Sequence, residues 1–118
     1  MSVKKIVHKG QTILVADYRG LNKAEQQIQN LEELSKVLKI SSSSLPILSN
    51  YDGVAVGTEF MNRVKVLGKE LKPKIKRQAL LGITGVKNIL LQGYILFTGE
   101  KEIKTFDTEA EALEYLTK

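Results

Sequence analysis

Polar side chains that could do chemistry recur directly after the apolar segments of this 118-residue chain. The set is Asp17 with Arg19, Asn50 with Asp52, Thr84 with Gly85, and Asp107. If the apolar segments are parallel strands, these residues meet at the carboxyl edge of a sheet, where open α/β sheets bind ligands. Two carboxylates near an arginine could then transfer protons, provided that burial shifts their pKa values. We favour a structural interpretation, because Asn and Asp are common turn and cap residues, and we predict no catalytic residue.

The segment from Gly82 to Lys87 is a second candidate site, since it places glycine, hydroxyl and lysine groups before a predicted helix. Free N–H groups at a helix start attract anions, which makes Thr84, Gly85 and Lys87 candidate anion-binding residues. The segment lacks the Gly-Lys-Ser/Thr ending of a Walker loop. A tight structural turn explains the same residues, so both interpretations stay open.

Metal and triad chemistry have little support, because His8 is the single histidine and the chain has no cysteine. A zinc site built from His and Cys would need several such ligands. A Ser–His–Asp triad would have to recruit His8 from a hairpin at the sheet edge, where we expect it to be exposed. We therefore expect neither a metal nor a cofactor.

The net charge of +5 is concentrated between the second predicted helix and the strand after it. This basic ridge comprises Arg63, Lys65, Lys69, Lys72, Lys74, Lys76 and Arg77. It could bind nucleic acid or anionic lipid, or it could be the solvated face of a helix and its loop. The absence of aromatic residues among these cations argues against stacking on single-stranded bases.

Length and composition predict one domain over residues 1–118. No apolar run approaches the roughly 20 residues of a membrane span, and the first residues lack the long apolar core of a signal peptide. The lack of cysteine fits a reducing compartment. We expect a cytoplasmic protein without a transmembrane segment.

Hydrophobic periodicity predicts the first three elements. Residues 3–7 and 12–18 are typical of two strands joined by a hairpin at Lys9-Gly10, and the apolar run 13–16 predicts that the second strand is covered on both faces. A helix follows, with a capping box between Asn22 and Glu25. Its apolar stripe is Ala24, Ile28, Leu31, Leu34 and Leu38. Its water-facing residues are predicted to be Gln26, Gln27, Asn30, Glu33 and Lys36.

The rest of the chain alternates strands with helices. Strands are predicted at 45–49, 78–84 and 102–106, and a second helix opens at 57–59 and stops before Pro73. A third helix lies between Gly85 and Gly99, and a capping box of Thr108 and Glu111 opens the last one. The order ββαβαβαβα predicts an α/β fold, in which helices pack against a mostly parallel mixed sheet.

Three segments resemble the SpoIIAA-like group of STAS domains (sulfate transporter and anti-sigma-factor antagonist). They are the strand and turn at 48–54, the strand RQALLGITG at 77–85, and the terminal segment KTFDTEAEALEYL at 104–116. The second is similar to an "A-hydrophobic-hydrophobic-G-x-S/T-G" strand, and the third to an "F-D-S/T-x-x-E-A-L-x-W/Y-L" pattern. The resemblance implies a small non-enzymatic module that docks to protein partners or binds a small ligand or lipid.

The resemblance also directs attention to the turn before the second helix. Members of the group are switched by phosphorylation of a serine in an Asp-Ser-Ser/Thr-Gly turn, whereas here Tyr51 and Asp52 precede Gly53. The acceptor hydroxyl is missing, and Asp52 would place a permanent negative charge at that position. Ser49 and Thr58 flank the turn and could substitute for the serine.

The third predicted helix has more apolar residues than one packed face needs. The face expected to pack on the sheet is Val86, Leu90, Gly93, Tyr94 and Phe97. Leu91 and Ile95 lie four residues apart and off that face, where water is expected, and so does Leu96. They indicate a protein partner, a homodimer or a lipid pocket, unless a neighbouring loop or helix covers them.

We therefore predict a STAS-type regulatory module that works by protein binding and not by turnover. The predicted partner surface comprises Asn50, Tyr51, Asp52, Thr58, Glu59, Asn62, Leu91 and Ile95. One alternative is a carrier for a small ligand or lipid, which requires an apolar pocket between helices and sheet. Another is nucleic-acid binding through the basic ridge.

Overall fold

The computed structural model describes residues 3–118 and has the predicted order of elements, with one added 3₁₀ turn. The strands are β1 (Val3–His8), β2 (Gln11–Asp17), β3 (Leu45–Asn50), β4 (Ile75–Leu81) and β5 (Ile103–Phe106). The helices are α1 (Ala24–Ile40), α2 (Thr58–Glu70), α3 (Val86–Thr98) and α4 (Glu109–Leu116), and the 3₁₀ turn is Lys72–Lys74. The predicted α/β fold is confirmed.

The described strands form one mixed sheet in the order β1-β2-β3-β4-β5. β1 pairs antiparallel with β2, and the remaining pairings are parallel, so the predicted mostly parallel sheet is confirmed. The register sets Asp17 opposite Asn50, and Asn50 opposite Leu81. Leu81 in turn lies opposite Phe106. The carboxyl ends of four strands therefore form one row, and the loops that follow them meet at one edge of the sheet.

Alternating side chains of the sheet build a separate core on each face. On one face, Leu14 and Ile47 pack with residues of α1, α2 and α3. On the other face, Ile13 and Leu48 pack with residues of α4. All four residues from 13 to 16 are buried, which confirms that β2 is covered on both faces.

The start of α1 differs from the prediction. The helix begins at Ala24, and its amino-terminal cap is Lys23, so the predicted capping box of Asn22 and Glu25 is wrong. The side-chain oxygen of Gln26 accepts a hydrogen bond from the Lys23 N–H group at 3.2 Å. An amide one residue further along therefore satisfies the free donor at the helix start.

Two amide side chains of α1 are buried, although Gln27 and Asn30 were predicted to face water. Gln27 Nε2 donates to the carbonyl oxygens of Leu21 at 2.9 Å and Ala55 at 3.0 Å. Asn30 Nδ2 donates to the carbonyl oxygen of Asp17 at 3.2 Å. The prediction was wrong because loop carbonyls that need donors come close to this side of α1 only in the tertiary structure.

β4 begins and ends three residues before the predicted range 78–84. Gly82 ends it with a φ of +77°, which L side chains rarely adopt. A Cβ atom there would overlap the backbone of Asp52. This close approach lets the Tyr51 N–H group donate to the carbonyl oxygen of Leu81 at 2.9 Å. The turn after β3 is thereby fixed against the end of β4.

α4 is anchored at both ends. The Thr108 hydroxyl oxygen accepts from the Glu111 N–H group at 3.2 Å, which confirms the predicted cap. Near the other end, Glu114 is paired with Lys9 of the hairpin at 2.6 Å. His8 is half-buried beside the same carboxylate, with Nε2 4.0 Å from Glu114 Oε1, so the prediction that it is exposed is wrong.

Candidate functional site

A polar cleft of about 400 Å³ opens beyond the carboxyl ends of the parallel strands. Its lining includes five residues that the sequence singled out, namely Arg19, Asn50, Asp52, Thr84 and Asp107. Thr105 and Glu109 also line the cleft. The prediction that these groups meet at one edge of the sheet is confirmed for those five residues, whereas Asp17 and Gly85 are not among the lining residues.

The pair of Asp17 and Arg19 braces the loop after β2. Arg19 Nε donates to Asp17 Oδ1 at 3.0 Å, and Arg19 Nη2 donates to Asp17 Oδ2 at 2.8 Å. These hydrogen bonds lower the pKa of Asp17, which keeps its carboxylate ionised at neutral pH. A proton-transfer residue that works near neutral pH needs the opposite shift. The geometry of this pair therefore favours a structural role.

The candidate anion-binding residues at the start of α3 have contacts of their own. Lys87 Nζ donates to the carbonyl oxygen of Tyr51 at 2.9 Å, and its N–H group donates to that of Thr84 at 3.2 Å. The next N–H group, that of Asn88, donates to Gly85 at 3.0 Å. These contacts favour the structural turn, and anion binding stays a prediction.

The turn after β3 presents one face to solvent and one to the core. Asn50 Oδ1 accepts from the Asp52 N–H group at 3.0 Å, and Asp52 is exposed. The Tyr51 ring stacks on that of Tyr18, with ring centroids 4.6 Å apart, and contacts Phe60 edge-on at 6.2 Å. Tyr51 therefore holds the turn in place, while Asp52 is available to a partner.

The polar start of α2 is exposed. Thr58, Glu59 and Asn62 are all open to solvent, while Phe60 and Met61 between them are buried. The apolar stripe thus holds the helix on the sheet and leaves its polar face free, which is the arrangement that the predicted partner surface requires.

The packing face of α3 differs from the prediction. Val86 and Phe97 were expected to be buried, but both are exposed. Leu91 and Ile95 were expected to face water, but both are half-buried and pack against the core with Leu90. The prediction was wrong because α3 packs beside α2 with Leu90, Leu91 and Tyr94 directed toward α2 and the sheet, an orientation that only the tertiary structure sets. Partner binding by Leu91 and Ile95 stays untested.

The outer side of α3 instead carries an apolar stripe, defined as Val86, Ile89, Leu96 and Phe97. These side chains are 69%, 72%, 86% and 47% exposed, respectively. They span the twelve residues from Val86 to Phe97, or about 16 Å at a rise of 1.5 Å per residue. Several apolar side chains exposed on the same side of one helix mark a binding site more often than isolated apolar residues do.

Lysines of α2 and of the 3₁₀ turn border the apolar stripe on one side. Lys69 Nζ lies 5.0 Å from the centre of the Phe97 ring, a cation–π contact. Lys72 Nζ donates to the carbonyl oxygen of Gly99 at 3.1 Å. Lys65 lies beside Gly93, so the three lysines follow the carboxyl-terminal half of α3. Asn88 and Gln92 are exposed positions of α3 without charge.

An apolar cavity of about 60 Å³ lies between α2, α3 and the sheet. Its lining includes Phe60 and Met61 from α2, Leu90 and Leu91 from α3, and Leu80 from β4. The cavity is less than half the size of the ~150 Å³ apolar cavity that takes up benzene in an engineered protein. It would accept a larger apolar ligand only if α3 moved outward.

A buried polar cluster beside this cavity was missed by the sequence analysis. Gln78 Nε2 lies 3.0 Å from Glu100 Oε2 and 3.3 Å from the Tyr94 hydroxyl oxygen. Burial raises the pKa of Tyr94 to about 12 and raises the pKa of Glu100 above its usual value. The available signal was Gln78 itself, because an amide inside an apolar parallel strand needs a buried partner.

Much of the basic ridge is engaged in contacts within the chain. Arg63 Nη2 is paired with Glu32 at 2.7 Å, and Lys74 Nζ donates to the carbonyl oxygen of Ser41. Arg77 Nη1 donates to the carbonyl oxygen of Lys118 at 2.9 Å. These contacts favour the structural interpretation of the ridge, and nucleic-acid binding stays an untested alternative.

Two further properties concern residues 3–118. Within this range, no group of three His, Cys, Asp or Glu side chains is placed to hold a metal ion. The helices of the same range include none that is long and apolar enough to cross a membrane.

Comparison with known proteins identifies the fold. No protein-family model and no curated protein matches the chain. It is similar to the crystal structure of an uncharacterised protein of the DUF3478 family, with a SpoIIAA-like fold, from Shewanella loihica PV-4. The match covers 97% of this chain and 91% of that chain, with a TM-score of 0.68. The fold is SpoIIAA-like.

The SpoIIAA-like fold confirms the resemblance seen in the sequence, at the level of the fold. The two chains are 18% identical, and at that identity the likeness carries no function from one to the other. The evidence for the function of this domain therefore comes from its own surface residues.

Proposed function

We propose that this SpoIIAA-like domain is a non-enzymatic binding module that docks a protein partner along α3 and the adjacent start of α2. The apolar stripe supports the proposal, since its four exposed side chains lie on a helix that could have placed polar residues there. Covering Ile89 and Leu96 would contribute about 3–6 kcal/mol at most. Asp52, Thr58, Glu59 and Asn62 extend the surface toward the turn after β3.

The charge beside the stripe indicates the partner chemistry. Lys65, Lys69 and Lys72 favour an acidic partner, and they also disfavour a second copy of this basic chain. The stripe is straight and three helical turns long, which suits an amphipathic helix lying alongside α3. The proposed partner segment is therefore an acidic amphipathic helix of another protein.

A lipid bilayer fits the same surface less well. An interfacial helix that binds anionic lipid usually carries cations on both borders of its apolar face. Here the lysines border the stripe on one side only, from α2 and the 3₁₀ turn, whereas Asn88 and Gln92 of α3 are uncharged. Amide side chains suit hydrogen bonds to a protein partner.

The turn at Asp52 bears on regulation. Because an exposed carboxylate stands where related switch turns carry a phosphorylatable serine, partner binding in this proposal is constitutive and needs no kinase. Ser49 is buried, which disfavours it as a substitute acceptor, whereas Thr58 is exposed.

Peptide binding tests the docking proposal. The probe is a fluorescently labelled acidic amphipathic peptide of about 15 residues, compared with a scrambled peptide of the same composition. Fluorescence anisotropy should show that the wild type binds the amphipathic peptide and that added salt weakens binding. The double variant Ile89→Asp/Leu96→Asp should lose binding by at least about 10-fold, because it places carboxylates in the apolar contact.

The matched control is Ile40→Asp, which changes an equally exposed apolar residue at the end of α1. It should bind the peptide as the wild type does. Equal binding of the scrambled peptide would contradict the proposal. Binding to phosphatidylglycerol vesicles without binding to the peptide would assign the surface to membranes instead.

A second candidate function is a carrier for an apolar ligand, and the cavity beneath α3 favours it. A lipid chain would have to displace α3, because the cavity of about 60 Å³ is too small to hold it. Native mass spectrometry of the purified protein should then show a retained adduct. Self-association, nucleic-acid binding and a cytoplasmic location stay predictions.

A further inference from the structure

The buried residues of α3 lie in its carboxyl-terminal half. Of its thirteen residues, Tyr94 and Thr98 are the two that are buried. The Thr98 hydroxyl donates to the carbonyl oxygen of Tyr94 at 2.9 Å and accepts from the Glu100 N–H group at 3.3 Å. Just after the helix, Glu100 is itself only 6% exposed.

The buried polar cluster joins three segments at this point. Gln78 comes from β4, Tyr94 from α3, and Glu100 from the loop between α3 and β5. Gln78 Nε2 is within hydrogen-bonding distance of both partners, at 3.0 Å from Glu100 and 3.3 Å from Tyr94. Gln78 and Tyr94 also line the apolar cavity. Separation of α3 from the sheet would therefore break the cluster and enlarge the cavity together.

We propose that Gln78, Tyr94 and Glu100 form a latch that holds the carboxyl-terminal half of α3 on the sheet and sets how readily the cavity beneath it opens. The functional meaning of this latch rests on the proposed binding role of α3, but its existence is a property of the free protein. It is a polar contact within an apolar environment, where an unmatched charge is costly.

Ionisation of Glu100 gives the latch a dependence on pH. Burial raises the pKa of this carboxyl group above 4.5, and opening of α3 would return it to water and to its usual value. The closed form therefore binds the proton more tightly than the open form. Closure is favoured as pH falls through the raised pKa, and opening becomes easier as pH rises above it.

Several groups face Glu100 and limit this effect. Lys72, from the 3₁₀ turn, and the hydrogen bonds from Gln78 and Tyr94 favour the ionised form, though burial outweighs them. Tyr115 approaches from α4, where its hydroxyl donates to Glu102 at 3.1 Å. The ionised carboxylate is thus partly compensated, which limits how far ionisation favours the open form.

Hydrogen–deuterium exchange of the free protein tests the latch. Protection factors of the α3 amides should be lower at about pH 8 than at about pH 5 in the wild type. Glu100→Gln keeps an acceptor for Gln78 but removes the charge, so it should raise α3 protection at the higher pH and abolish the difference. Gln78→Leu removes the donor and should lower protection roughly 10-fold. The same variant should increase the fluorescence of 1-anilinonaphthalene-8-sulfonate.

Glu25→Gln, at an exposed position of α1, is the control and should leave α3 exchange unchanged. The latch is refuted if Glu100→Gln leaves the protection of α3 and its pH dependence as in the wild type. Glu100→Gln tests the latch even if the Gln78→Leu variant fails to fold. A failure of peptide binding in the earlier test would not alter these exchange rates, so the two proposals can fail separately.

Discussion

Gly82 shows how a single backbone position joins two strands of this domain. Its φ of +77° and the close approach of the Asp52 backbone both exclude a side chain. Gly53 shares the positive φ, at +71°, but has open space around its α-carbon. The two glycines therefore differ in crowding and not in backbone conformation, which makes them a matched pair.

We expect Gly53→Ala to lower the free energy of unfolding by about 1 kcal/mol, the cost of a left-handed conformation for a residue with a side chain. Gly82→Ala should cost about 1–3 kcal/mol more, because its methyl group must displace the turn. Urea denaturation of both variants measures the difference. Equal losses would show that the turn moves aside without strain.

Among the functional residues, those of the polar cleft could be predicted from the sequence, whereas the latch could not. The residues at the polar cleft could be predicted because each follows an apolar strand, and parallel strands end at one edge. The latch could not be predicted as a unit, since Gln78 and Glu100 lie 22 residues apart and meet only when α3 packs between β4 and the loop before β5. The amide of Gln78 within an apolar strand was the one sequence feature that indicated a buried polar partner.

At the scale of elements, periodicity predicted where helices occur better than which sides they bury. Both α1 and α3 were located correctly, yet the buried amides of α1 were assigned to the exposed side, and Val86 and Phe97 of α3 were assigned to the buried side. The placement of Leu96 outside the packed face was confirmed. A helical wheel assumes that polar residues face water, and this fails where loop carbonyls need donors or where a helix is covered on one side only.

Substitution of Gln27 tests whether its buried hydrogen bonds stabilise the fold. Gln27→Leu should lower the free energy of unfolding by about 1–3 kcal/mol, because the carbonyl oxygens of Leu21 and Ala55 lose their donor. Gln29→Leu, at an exposed position of the same helix, should change it by less than about 0.5 kcal/mol. Thermal and urea unfolding would measure both. A stabilised Gln27→Leu variant would show that apolar burial outweighs these hydrogen bonds.

The whole molecule depends on two cores that are covered unequally. The helices α1, α2 and α3 share one face of the sheet, whereas α4, with eight residues, packs on the other. Leu116 of α4 is fully buried. Leu96 of α3, in contrast, is among the most exposed large apolar side chains between residues 3 and 118. The same substitution at these two positions therefore separates core packing from the proposed binding surface.

Leu116→Ala should lower the free energy of unfolding by about 2–5 kcal/mol, through lost burial and the space left behind. Leu96→Ala should leave stability within about 0.5 kcal/mol while weakening peptide binding. Calorimetry and anisotropy on the same samples would compare the two effects. A large loss of stability for Leu96→Ala would mean that the apolar stripe is part of the core.

The amino-acid sequence by itself determined the order of elements, the mostly parallel sheet and the SpoIIAA-like resemblance, because these follow from local patterns and from few ways of stacking helices on strands. Only the tertiary structure decided which side of α3 is exposed, which lysines border it and which polar groups meet beneath it. Those features depend on contacts between residues that are distant in the chain, and no local pattern records them.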